Sequence, residues 1–109
     1  MTQYIIKKKV NEEVLDDILE SGLEGISYWA DKVEVVGGIE DDKQYVHLAL
    51  KDGRYIRIHD IEENKWHKLT LKKLINGLSL SDDFDFANYD MYDAEQVIQL
   101  AIFGKLVYA

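Results

Sequence analysis

The sequence predicts a single α+β domain of two layers, in which an antiparallel sheet is covered on one face by about three helices. The chain has 109 residues, of which 47% are hydrophobic and 31% charged, as expected for one globular core. Segments with helical spacing of apolar residues are interspersed with segments typical of strands. Neither proline nor a Gly/Ser-rich tract divides the chain, so we expect residues 1–109 to form one domain.

The first helix is expected to begin at Asn11, whose side chain can accept a hydrogen bond from the first turn, where two glutamates also lie. Apolar residues recur at helical spacing over residues 14–23, with Gly22 and Gly25 as candidate terminators. Residues 26–36 are rich in aromatic and β-branched side chains, which favours a strand. A helix followed by a strand is therefore predicted.

A β-hairpin is predicted over residues 44–50 and 55–61, which flank a turn that ends in Gly53. A three-residue loop with this glycine in the left-handed conformation pairs Leu48 with Ile56. A slip by one residue would move the apolar side chains towards water. The predicted buried face holds Val46, Leu48, Leu50, Ile56 and Ile58, and the opposite face holds Tyr45, His47, Ala49, Tyr55, Arg57 and His59.

Two further helices are predicted in the second half of the chain. Thr70 is expected to cap the second helix, over residues 71–78, whose apolar residues follow helical spacing. Asp93 is expected to cap the third helix, which Gly104 ends before a last strand at residues 106–108. These elements complete the α+β pattern.

Composition argues against several classes of function. The 13 basic residues against 21 acidic ones give a net charge of -8, so we expect no direct binding to nucleic acid. Without cysteine the chain can form neither a disulfide nor a thiolate metal site. Neither a secretion signal nor a membrane-spanning stretch is recognisable, so we expect a cytosolic protein without membrane contact. Common hydrolase, phosphate-loop and zinc-protease motifs are missing, and we expect neither enzyme activity nor a cofactor.

The most polarised part of the sequence is residues 74–104, which contain no Lys or Arg and in which acidic residues are interleaved with aromatic ones between residues 82 and 95. Acidic groups steer an encounter with a basic surface, and aromatic rings supply buried anchors. This pattern predicts binding to a basic, nucleic-acid-binding protein. In the alternative arrangement, the aromatic rings fold inward and the acids stay solvated. The candidate partner-binding residues are Asp82, Asp83, Phe84, Asp85, Phe86, Tyr89, Asp90 and Tyr92.

The polar face of the predicted sheet gives a second candidate site, because aromatic rings can stack on a base while an arginine pairs with a phosphate. The alternative is the ordinary solvent face of a half-covered sheet. We expect no metal site, since His47 and His59 would supply only two ligands and residues 83–88 lack the glycine of a calcium loop. The candidate ligand-binding residues are Tyr28, Trp29, Tyr45, Tyr55 and Arg57.

Three blocks of the sequence, residues 14–29, 66–74 and 93–108, resemble small proteins of phages and prophages. These proteins carry a Gly-Gly/Tyr-Trp segment near the start and an acidic-capped helix that ends in Leu-Phe-Gly. The present chain has a single glycine, Gly25, in the first segment, and it has Ala109 where glycine is usual. The resemblance implies a phage protein made in the cytoplasm of a bacterial host.

Together, the acidic stretch and this resemblance favour a non-enzymatic phage accessory protein. The leading hypothesis is a counter-defence (anti-CRISPR-like) inhibitor that binds a host defence protein at its basic nucleic-acid groove. One alternative is a binding protein that sequesters a nucleotide immune signal, and another is a structural or regulatory phage component. We also expect a homodimer, because two-fold dimers are the commonest closed assemblies.

Overall fold

The computed structural model describes residues 3–5, 9–37, 50 and 54–109, and it confirms the α+β class. Three helices accompany a three-stranded antiparallel sheet in these ranges. A short 3-10 helix, Ile26–Tyr28, follows the first helix. The elements in chain order are β1 (Gln3–Ile5), β2 (Lys9–Asn11), α1 (Glu12–Gly25), β3 (Ala30–Val36), β4 (Tyr55–Asp60), β5 (Lys65–Leu69), α2 (Leu71–Leu80) and α3 (Met91–Phe103).

The main sheet has the order β3-β4-β5, and β4 pairs antiparallel with both neighbours. Ile58 lies opposite Val33 on one side and His67 on the other. The predicted pairing of β4 with residues 44–50 is therefore wrong, because both of its edges are taken by β3 and β5. Residues 44–49, with the candidate residue Tyr45, lie outside the described residues.

The two faces predicted for β4 are confirmed. Ile56 and Ile58 are fully buried, whereas Tyr55, Arg57 and His59 are half-buried on the opposite face. The alternation also buries a residue that sequence analysis did not single out, Asp60 at the end of the strand. Buried side chains of the sheet and of all three helices form one hydrophobic core.

Helix α1 begins as predicted, since the Asn11 side chain accepts a hydrogen bond from the Val14 backbone N–H at 2.9 Å. Gly25 is its last residue, but Gly22 lies inside the helix and does not end it. A Cβ atom at position 22 would lie 2.8 Å from the backbone oxygen of Ala94. Gly22 therefore serves the close approach of α1 and α3.

Helix α2 is also capped as predicted, with the Thr70 hydroxyl accepting a hydrogen bond from the Lys73 N–H at 3.1 Å. It extends to Leu80, two residues beyond the predicted end. A Cβ atom at Gly77 would lie 2.8 Å from the backbone oxygen of Val97, so α2 also approaches α3 closely. Helix α3 thus packs between α1 and α2.

The cap predicted for α3 is wrong by three residues. Asp90 is the N-cap, and its carboxylate accepts a hydrogen bond from the Asp93 N–H at 2.8 Å. The Asp93 carboxylate accepts one in return from the Asp90 N–H at 3.2 Å, which completes a capping box. Gly104, with a φ of 73°, ends the helix as predicted.

The predicted last strand does not form, because the side chain of Gln99 binds the backbone of this segment. Its Oε1 accepts hydrogen bonds from the N–H groups of Val107 and Tyr108, both at 2.8 Å. Its Nε2 donates to the Tyr108 carbonyl oxygen at 3.1 Å. The amide thus offers the donor and acceptor that a neighbouring strand would otherwise supply.

Among the described residues, no helix combines the length and the apolar character needed to cross a membrane.

Candidate functional site

Three aromatic residues of the predicted partner-binding set point inward. Phe84 is buried, and its ring lies 5.1 Å from that of Phe86 and 5.0 Å from that of Tyr89. The Tyr89 hydroxyl donates a hydrogen bond to the carboxylate of Asp17 on α1, and burial together with this carboxylate raises the pKa of Tyr89. These rings therefore fix the segment before α3 to the core and are not exposed anchors.

The acidic members of the same set remain at the surface. Asp82, Asp83, Asp85 and Asp90 are all exposed. Asp85 stabilises its own turn, since its Oδ1 accepts a hydrogen bond from the Ala87 N–H at 2.9 Å. We call residues 82–90 the acidic loop. It combines exposed carboxylates with a backbone that its aromatic residues hold in place.

An exposed apolar surface lies where α1 ends and α3 begins. Tyr92, Met91 and Tyr28 are 59%, 51% and 49% exposed, and Val107 is exposed as well. The Met91 side chain packs against the Gly25 backbone, and the Tyr28 hydroxyl lies 3.5 Å from the carbonyl oxygen of Tyr108. We call Tyr28, Met91, Tyr92 and Val107 the apolar corner. Of the predicted partner-binding rings, only Tyr92 belongs to it.

Beneath the apolar corner lies a buried carboxylate, Glu95, which is 2% exposed. Its Oε1 accepts hydrogen bonds from the Tyr28 hydroxyl and from Trp29 Nε1, both at 3.0 Å, and from the Gln99 amide. Burial and the neighbouring carboxylate raise the pKa of Tyr28 to about 12. Because these donors satisfy it, Glu95 is held without a basic partner among the described residues.

This arrangement corrects the predicted role of Trp29 as a ligand-stacking residue. Trp29 is 1% exposed, and its ring stacks on that of Tyr108 at 5.1 Å. The buried ring and the indole N–H are therefore both used inside the protein. Tyr28 keeps an exposed edge, but it belongs to the apolar corner and not to the sheet face.

The sheet face that was predicted to bind a ligand carries a cation–aromatic cluster. The Arg57 guanidinium carbon lies 3.9 Å from the centre of the Trp66 ring, and Lys68 Nζ lies 4.3 Å from that of Tyr55. Glu34 pairs with Arg57 at 3.5 Å. Tyr55 and Arg57 lie on one face of β4, as predicted, while Trp66 and Lys68 were missed. Trp66 and Lys68 are two residues apart in β5. This spacing places both side chains on one face of a strand, and it could have identified them from the sequence.

One atom of this face lacks a hydrogen bond. Arg57 Nε is buried and has no partner among the described residues. A buried N–H without a hydrogen-bond acceptor costs roughly 1–3 kcal/mol.

Two histidine clusters flank the turn between β4 and β5. His59 contacts Asp31 through Nδ1 at 2.6 Å and Asn64 through Nε2 at 3.0 Å. The hydrogen bond with His59 holds the pKa of Asp31 below its usual value. On the other face, potential ligand atoms of Asp60, Glu63 and His67 lie within 4.8 Å of one another. Sequence reasoning missed the second cluster because it paired His59 with His47, which lies outside the described residues.

Comparison with protein-family models, with curated proteins and with solved structures found no match for this chain. The resemblance to phage proteins and the expected homodimer therefore stay predictions. The site is defined by its own geometry: an acidic loop beside an apolar corner, and a separate cation–aromatic sheet face.

Proposed function

We propose that the protein is a non-catalytic binding protein whose acidic loop and apolar corner together dock on a basic surface of a nucleic-acid-binding protein. The observation that supports this most is the adjacency of the two features. The acidic loop leads directly into α3, and the first two residues of α3, Met91 and Tyr92, are the most exposed residues of the apolar corner.

Charge supports the choice of a basic partner. No Lys or Arg occurs from residue 74 to residue 104, so Asp83 and Asp85 have no basic residue near them in the sequence. The net charge of -8 adds a long-range field of the same sign. Such a field accelerates association with a positive groove and repels nucleic acid itself.

The apolar corner supports direct protein contact. Tyrosine and methionine are enriched at the centres of protein interfaces, where they lose their water on binding. Tyr92, Met91 and Tyr28 replace Phe84, Phe86 and Tyr89 in the role of anchors. The inward rings instead hold the acidic loop in shape, which reduces the entropy lost on docking.

The biological setting follows from the resemblance to phage and prophage proteins. In the cytoplasm of a bacterial host, an acidic protein of this kind would compete with nucleic acid for the groove of a host defence protein. We therefore propose counter-defence inhibition as its role. The proposal requires no catalytic residue and no cofactor.

The experiment uses the untagged protein immobilised through its surface lysines to capture nucleic-acid-binding proteins from a bacterial lysate. The captured protein is then purified, and its Kd is measured as a function of salt. Asp83→Lys and Tyr92→Ala should each weaken binding at least about tenfold. Their matched controls are Glu62→Lys and Ile61→Ala, which alter an exposed acid and an exposed apolar side chain at the β4–β5 turn.

The proposal also predicts that double-stranded DNA competes with the protein for the captured partner. It would be refuted if Asp83→Lys and Glu62→Lys bound alike, or if saturating DNA left the complex intact.

A second candidate function is supported by the cation–aromatic face, where the Arg57 guanidinium lies over the Trp66 ring and the Arg57 side chain is 39% exposed. The cation–aromatic face could bind a nucleotide, with Trp66 or Tyr55 beside the base and Arg57 on a phosphate. Titration with mono- and dinucleotides should quench Trp66 fluorescence, with Trp66→Phe as the control. Unchanged quenching in Arg57→Lys would remove this candidate.

A further inference from the structure

The turn between β4 and β5 brings three potential metal ligands of different kinds together. Asp60 ends β4, Glu63 lies in the turn, and His67 is the third residue of β5. Their nearest ligand atoms all lie within 4.8 Å of one another. Asp60 is fully buried and Glu63 is exposed, so the group runs from the interior to the surface.

The innermost ligand, Asp60, is already held in one orientation. Its Oδ1 accepts hydrogen bonds from the backbone N–H groups of Glu62 and Glu63 at 3.0 and 3.3 Å. Its Oδ2 accepts one from the Tyr108 hydroxyl at 2.6 Å. These hydrogen bonds fix the direction in which the Asp60 carboxylate points.

The second ligand, His67, is fixed by packing and points at Asp60. Its Nε2 lies 3.1 Å from Asp60 Oδ2, and its ring meets that of Phe103 edge-on at 4.8 Å. Two ligands that are each about 2.0–2.2 Å from zinc and subtend 90–110° lie roughly 3.0–3.5 Å apart. The observed separation lies within that range.

We propose that Asp60, Glu63 and His67 form a binding site for a divalent transition-metal ion, with zinc the best fit. Two carboxylates and one imidazole are ligands that zinc accepts in tetrahedral sites, and the fourth position is left for water. Magnesium and calcium are disfavoured because they prefer more oxygen ligands and no nitrogen. This site is separate from the acidic loop and the apolar corner, and it does not rest on the function proposed for them.

The competing interpretation is a purely structural His67–Asp60 hydrogen bond. Under either interpretation Glu63 lies beside the pair, and because its side chain is exposed it can turn towards an ion without losing buried contacts. Within the described residues, His67 is the only basic side chain paired with Asp60. A bound dication would supply the missing positive charge.

The test uses the untagged full chain after treatment with EDTA, with zinc chloride as the titrant in isothermal calorimetry. Glu63→Gln and His67→Gln remove one ligand each, and Glu62→Gln removes a charge from the same turn without touching the cluster. His59→Gln controls for binding at the other face of the sheet. We expect one zinc per chain, at least about tenfold weaker binding in Glu63→Gln and a larger loss in His67→Gln, with both controls unchanged. Cobalt should give the absorption of a tetrahedral site in the parent and in the controls.

Because Glu63 is exposed, Glu63→Gln keeps the test valid even if His67→Gln fails to fold. Two results would overturn the proposal. One is a parent protein without saturable one-to-one zinc binding. The other is a Glu63→Gln protein that binds zinc as tightly as Glu62→Gln does.

Discussion

Replacing Tyr108 by phenylalanine removes a single hydroxyl and keeps the ring that stacks on Trp29. That hydroxyl donates to the buried carboxylate of Asp60 at 2.6 Å. A hydrogen bond to a charged group contributes about 1.5–3 kcal/mol to stability. Asp60 keeps its contacts with His67 and two backbone N–H groups, so we expect a loss of about 2 kcal/mol at neutral pH. The melting temperature should fall by roughly 10 °C.

The loss should depend on pH in a defined direction. Burial tends to raise the pKa of Asp60, but Tyr108 and the other donors hold the folded-state value below the ordinary one. A group of this kind stabilises the fold above its unfolded pKa of about 3.9, and the stabilisation is lost as the pH falls through the folded pKa. The parent and Tyr108→Phe should therefore differ most at pH 7 and become more alike towards pH 2–3.

The assay is urea unfolding followed by tryptophan fluorescence at pH 7 and pH 3. Tyr55→Phe is the control, since it also removes a phenol hydroxyl but from the cation–aromatic face. A difference below about 0.5 kcal/mol at pH 7 would show that the Asp60 contact adds nothing to stability. A difference of equal size at both pH values would contradict the role of the Asp60 charge.

Two further predictions concern α3. Gln99→Leu leaves the N–H groups of Val107 and Tyr108 without their acceptor, so it should cost roughly 1–3 kcal/mol, and these two amides should exchange faster with solvent in hydrogen-exchange NMR. Unchanged exchange would show that another group holds the segment. Asp90→Ala removes the helix cap and should cost about 1 kcal/mol in urea unfolding, more than Asp93→Ala, and equal losses would contradict the assignment of the cap.

Features that depend on neighbouring residues were predictable from the sequence. Asn11 and Thr70 cap their helices as expected, because a cap and the apolar spacing that follows are both local. Asp93 failed as a cap because Asp90 lies three residues before it and offers the same chemistry. The spacing of apolar residues did not distinguish Asp90 from Asp93 as the cap, because Met91 and Tyr92, the first residues of the helix, are apolar and yet exposed.

Features set by distant parts of the chain were not predictable. The nearest strand-like segment in sequence was assigned as the partner of β4, whereas β3 pairs with it across a long connection. Glu95 and Gln99 are polar residues of α3, yet both are buried: Trp29 donates a hydrogen bond to Glu95, and the Tyr108 carbonyl oxygen accepts one from Gln99. Likewise, Asp60 and His67 form a cluster only through the register of β4 with β5.

The close contacts at Gly22 and Gly77 limit how the sequence can diverge. At either position, a side chain would collide with the backbone of α3, which cannot move aside as a flexible side chain can. Surface residues, including those of the acidic loop, can change without disturbing the helices. Distant homologues that keep this arrangement should therefore differ most in the surface residues that contact a binding partner. They should retain glycine at positions 22 and 77, where α3 contacts α1 and α2.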